Sequence, residues 1–88
     1  MIDLKILSYH SAQRYAVRQT VISAQRVLQQ EHPEVKVTIT ELKDWFTIEK
    51  YTPILAAPSL VVNEKLVCIG RFPSKQEVQE WLKSALEG

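Results

Sequence analysis

Cysteine is almost missing from this sequence: 88 residues contain one, Cys68. A single thiol excludes an internal disulfide and a cysteine-rich zinc site, since each needs a second sulfur. An excess of either charge is missing too. Eleven Lys and Arg against ten Asp and Glu leave a formal charge of +1, with no block of like sign. Nothing therefore marks a nucleic-acid or membrane partner. No apolar run approaches the ~20 residues of a membrane span, and the N-terminus lacks the basic-then-apolar plan of a signal peptide. A cytoplasmic location is the expectation by default. Repeats, linkers and low-complexity tracts are also absent, so residues 1–88 read as one small domain of ordinary globular composition.

What is present is organised around the stretch from Ile54 to Ser74. It reads as two short strands, 59–62 and 65–69, joined by a turn at Asn63-Glu64 and entered through Ala57-Pro58. Proline lowers the cost of a cis peptide to about 0.5–1 kcal/mol, from about 2.5–4 at other residues. An X-Pro bond just before a buried strand is where a cis bond is expected. Asn63-Glu64 is a weaker turn than Asn-Gly, because a type I′ turn asks for positive φ at both centres and Glu resists it.

Upstream, residues 2–8 suit a strand that starts in solvent and ends buried on both faces. Ser11 is placed to cap a helix running to about Glu31. Val17, Val21, Ala24 and Leu28 make its core stripe, bordered by the small Ala16, Thr20 and Val27. Tyr15 and Ile22 fall on its outer side. Pro33 ends this helix by pushing the preceding residue out of the α region. Val35, Val37 and Ile39 alternate with Lys36, Thr38 and Thr40, the pattern of a half-buried edge strand. Asp44 caps a short helix with Trp45 and Ile48 facing inward, ended by Pro53. Ser74 and Glu77 form a capping box before a last helix whose apolar face is Val78, Trp81, Leu82 and Ala85.

The order is thus β-α-β-α-β-β-α. A right-handed crossover pairs the first two strands in parallel, and the hairpin adds antiparallel to the first strand. The expected fold is an α/β domain with a four-stranded mixed sheet in the order 2-1-3-4. Helices one and three cover one face and the short middle helix the other. With this arrangement the chain resembles the minimal, glutaredoxin-sized members of the thioredoxin-like proteins, including small redox-disulfide proteins. The resemblance rests on Lys5-Ile6-Leu7 running into a capped helix, on Ala57-Pro58-Ser59-Leu60-Val61-Val62-Asn63, and on Gly70-Arg71-Phe72-Pro73-Ser74. It implies a thioredoxin-like fold over nearly the whole chain, with Pro58 as the family's cis-proline.

The family's Cys-x-x-Cys lies where the first strand meets the first helix, and in that register this chain reads Ser11-Ala12-Gln13-Arg14. Disulfide exchange needs a thiolate to attack and a second thiol to resolve. Serine is too weak an acid to replace the first, and arginine resolves nothing. The expectation is a non-catalytic module, with no cofactor and no metal, that binds a protein or peptide partner. The groove would be formed by Ser11, Ala12, Arg14, Ala57 and Pro58, with Tyr9 and His10 as weaker candidates. Ala57, preceding the proline, can still pair backbone-to-backbone with an extended segment.

Several alternatives are open at this level. Ser11 can be a plain N-cap, or can join Arg14 and the amides of Ala12 and Gln13 in an anion site. A small anionic thiol such as glutathione would then bind, with transferase-like use of the Ser11 hydroxyl as the enzymatic reading. Residual thiol chemistry through Cys68 is another, set against its behaviour as a buried apolar side chain sharing a face with Leu66. His32 and Arg71 read as solvated surface. Tyr9, Tyr15 and Ile22 can form a partner patch, and a homodimer through an edge strand or the outer helix face is compatible with each reading.

Overall fold

The computed structural model describes residues 1–52 and 57–88. Pro53, expected to end the middle helix, and Ile54, the start of the central stretch, lie outside the described residues. Seven elements follow in the order β1 (Ile2–Leu7), α1 (Ser11–Glu31), β2 (Val37–Leu42), α2 (Trp45–Glu49), β3 (Ser59–Val62), β4 (Lys65–Cys68) and α3 (Lys75–Glu87). The sheet runs β2-β1-β3-β4, with β1 and β2 parallel and the other pairs antiparallel. The expected α/β topology is the one observed.

Alternation along β1 divides the core between the two faces of the sheet. Ile2, Leu4 and Ile6 join Val17, Val21, Ala24 and Leu28 of α1 and Val78 and Leu82 of α3 in the larger cluster. On the other face Leu7 and Val61 meet Ile48 of α2. The α1 stripe is therefore the one its spacing predicts. Pro33 stands just after His32, whose amide closes the helix on the Leu28 carbonyl at 2.8 Å. At the other end of the chain the Ser74–Glu77 capping box opens α3 as expected.

Three local expectations are corrected. β2 begins at Val37, not Val35, because Ile2 is paired with Val37 and the Ile2 amide already reaches the Lys36 carbonyl at 2.8 Å. Trp45 does not face inward: it is 49% exposed and only Ile48 of α2 is buried. The Asp44 carboxylate caps this helix by accepting from the Phe46 amide at 3.1 Å, and the Trp45 indole bonds Glu49 Oε1 at 3.1 Å at the surface, leaving Ile48 to the sheet. Finally, β3–β4 pairing slips between Leu60 and Val61. Leu60 pairs with Cys68 but Val61 with Leu66, so Val67 is the extra residue of a bulge. The slip moves Cys68 to the face opposite Leu66, into the larger cluster.

The β3–β4 turn has positive φ at both centres, 49° at Asn63 and 66° at Glu64. Its anchors lie on β1. The Asn63 amide donates to the Asp3 carbonyl at 2.7 Å, the Asp3 amide donates to Asn63 Oδ1 at 2.8 Å, and Lys5 Nζ reaches Glu64 Oε1 at 2.6 Å. Lys5 also bonds Asp3, and these two hydrogen bonds raise its pKa well above the ordinary lysine range. Glu64→Gly removes the steric cost of the left-handed conformation, about 1 kcal/mol, and forfeits one exposed ion pair worth less than that. A net rise in stability of up to about 1 kcal/mol is expected in chemical denaturation. A fall instead would mean that the Lys5 pair outweighs the backbone.

Candidate functional site

Strand direction gathers four chain segments at one end of the sheet. They are the turn after β1 with the first turn of α1, the β2–α2 connection, Ala57-Pro58 entering β3, and the turn after β4. Leu7 pairs with Ser59, so Pro58 arrives beside Ser8 at the end of β1. The Ala57-Pro58 peptide is cis, Pro58 is buried and Ala57 half-buried.

Ser8 ties this corner together. It is fully buried, and its amide donates to the Leu42 carbonyl at 3.1 Å, joining the ends of β1 and β2. Its hydroxyl accepts from the His10 amide at 3.0 Å and donates to Gln13 Oε1 at 2.6 Å. Its carbonyl accepts from Arg14 Nη1 at 2.9 Å. This serine turn fixes His10 in extended conformation and makes it the N-cap of α1, with no side-chain cap. Ser11 is therefore not the cap: it is the first helical residue, and it is exposed. His10 stands at the cap rather than before it, its ring 4.5 Å from that of Tyr9.

Arg14 is half-buried and held twice, by the Ser8 carbonyl and by Glu41 of β2, whose Oε1 lies 3.3 Å from Nε. Arg18 takes the other Glu41 oxygen at 3.1 Å. A cation in the first turn opposes the positive end of the helix dipole, and Glu41 offsets that cost from the neighbouring strand. Ser11, Ala12, Arg14, Tyr15, Arg18 and Glu41 line a shallow depression of about 480 Å³. The structure thus unites Ser11, Ala12 and Arg14, while Ala57 and Pro58 stand across the end of β1 and do not line that depression. Ser8 and Glu41 escaped the sequence reading, which used Gln13 for its amide and not for the side chain that accepts from Ser8. The only local signal was a serine two residues before the cap, where its hydroxyl can bond the backbone ahead of it.

Aromatic side chains border this end. Tyr9 is 44% exposed and its ring lies 6.2 Å from that of Trp45. Trp45 Nε1 donates to Glu49 Oε1 at 3.1 Å, and Phe46 beside it is 77% exposed.

Cys68 is buried, its Sγ donating to the Arg71 carbonyl at 3.3 Å, and burial pushes the thiol pKa up. Arg71 is not a freely solvated charge: its guanidinium forks onto Glu77 at 2.8 and 2.7 Å. That fork, with the Ser74 amide, holds the Glu77 carboxyl down at about 2. A carboxyl lowered in the folded state stabilises the fold at pH values above its unfolded pKa of about 4.3. The stabilisation disappears as pH falls from there towards about 2. Thermal melts across that window should show a progressive drop in Tm, and Glu77→Gln should make the drop shallower. An unchanged profile would contradict this coupling.

Among the described residues no helix is long and apolar enough to cross a membrane, and no cluster of His, Cys, Asp and Glu could hold a metal ion. No curated protein matches the sequence. The thioredoxin-domain family model matches residues 13–83, most of the chain. That match and the β2-β1-β3-β4 sheet agree, and the chain belongs to the thioredoxin-domain family.

Proposed function

We propose that this chain is a thioredoxin-fold binding module without dithiol chemistry, holding an extended peptide segment of a partner protein beside Ala57-Pro58 and the start of α1. The observation that carries this reading is the site's lack of sulfur. Ser11-Ala12-Gln13-Arg14 occupies the start of the first helix, and the one thiol sits in the core of the domain. The resemblance to small redox-disulfide proteins then extends to their scaffold, with the cysteine pair replaced. A half-buried Ala57 entering β3 supplies backbone for strand-like pairing, and Tyr9 and Trp45 supply apolar surface beside it.

The glutathione or transferase alternative has less support. Arg14, the cation it would use, already bonds Ser8 and Glu41. Residual chemistry at Cys68 is disfavoured by burial and a raised pKa. A test combines three measurements. Insulin reduction should stay at background, and reduced glutathione should leave the Ala12, Arg14 and Ala57 amide signals unmoved. A random decapeptide display library should enrich binders on the native protein but not on a folded Ala57→Pro variant, which lacks the backbone donor. Sustained insulin turnover, or binders indifferent to Ala57→Pro, would overturn the reading.

A further inference from the structure

The large apolar side chains left in solvent are distributed unevenly. Among the described residues they are Met1, Tyr9, Tyr15, Trp45, Phe46, Ile69 and Phe72. Met1 precedes β1 at the far end of the sheet. The other six gather at the end where β1, β2 and β4 finish. Trp45 and Phe46 follow β2, Tyr9 follows β1, and Ile69 and Phe72 follow β4, where the Gly70 amide reaches Ser59 Oγ at 3.3 Å. Tyr15 stands one turn into α1 beside Arg18 and Glu41. We propose that this end is the contact face of a symmetric homodimer of the chain.

Area argues for a second copy. Each of the six is between 44% and 77% exposed. Together they offer on the order of 600–800 Å² of surface, close to the ~800 Å² per partner of a stable interface. The largest apolar patch of an ordinary monomer is about 300–600 Å².

Charge argues the same way. Arg14 and Arg18 are paired with Glu41, and Arg71 with Glu77. Lys43, Asp44, Glu49 and Lys50 around α2 cancel, and the whole chain carries +1. Each copy of this face keeps a single net positive charge, because Arg14 and Arg18 share the one Glu41, so two copies meet with little repulsion, and net charge this low favours association. A two-fold axis places the same patch on both sides. The β4 edge is a poorer contact, being short, bulged and marked by the exposed Lys65, features that resist edge pairing.

The inference rests on exposure and charge alone, and because it shares Tyr9 and Trp45 with the peptide reading, a peptide seated there and a second copy would exclude one another. Sedimentation of the full chain from about 5 to about 500 μM should show a monomer–dimer equilibrium. Amide signals of Tyr9, Trp45, Phe46, Ile69 and Phe72 should move with concentration. Phe46→Glu, at a site too exposed to matter for folding, should weaken the dimer at least about tenfold. Lys83→Glu, an exposed charge reversal on α3 away from this end, should leave it unchanged. A chain that stays monomeric throughout would overturn the proposal. So would a dimer indifferent to Phe46→Glu whose shifting signals lie along the β2 edge.

Discussion

Replacing Ser11 and Arg14 together by cysteine is expected to raise insulin reduction measurably above that of the parent chain. Residues three apart on a helix are neighbours, within the span a disulfide bridges after small adjustment. The sulfur at position 11 would sit in the first turn of α1, where unpaired amides and the helix dipole lower a thiol's pKa below its free value of about 8.5. The first turn holds no acidic side chain to oppose that effect. Removing Arg14 costs the Ser8 carbonyl a donor, about 1 kcal/mol, and leaves Glu41 paired with Arg18. Oxidation by oxidised glutathione, which takes up the two protons and two electrons, should yield one intramolecular disulfide, shown by a mass loss of two hydrogen atoms and by protection from alkylation. Two thiols that stay free under oxidised glutathione would mean that this register does not bring the positions together.

The second large effect concerns two serines three residues apart. Ser8→Ala should destabilise the fold by about 1–3 kcal/mol, because it removes a buried hydroxyl that partners both the His10 amide and the Gln13 side chain. Ser11→Ala should stay within about 0.5 kcal/mol, as expected for an exposed site with no cap to lose. Urea unfolding of the two variants gives the comparison directly. Equal costs, or a larger one at Ser11, would restore Ser11 as the cap.

That pair also marks where the sequence stops being legible. Signals that act within four residues were clear: the Asp44 and Ser74 caps, the Pro33 stop, and the spacing of Val17, Val21, Ala24 and Leu28. The element order these signals delimit admits few topologies, so the sheet order was clear too. What escaped depends on partners distant in the chain. Glu41 neutralises Arg14 from a neighbouring strand, and no local spacing announces that pair. Trp45 looked buried because tryptophan is large and apolar and shares a helix face with Ile48, but its indole bonds Glu49 at the surface and only Ile48 is buried. Ser8 was passed over because it stood at the end of an apolar run, where a buried polar side chain has no visible partner until the turn closes around it.

The bulge at Val67 has a consequence for the chain's only thiol. Without the extra residue, Cys68 would share the α2 face with Leu66, under the smaller of the two clusters. With it, the thiol is sealed beneath the two long helices, and an oxidant in the surroundings meets it only when the domain opens. Oxidation at Cys68 would therefore record past unfolding rather than ambient redox conditions.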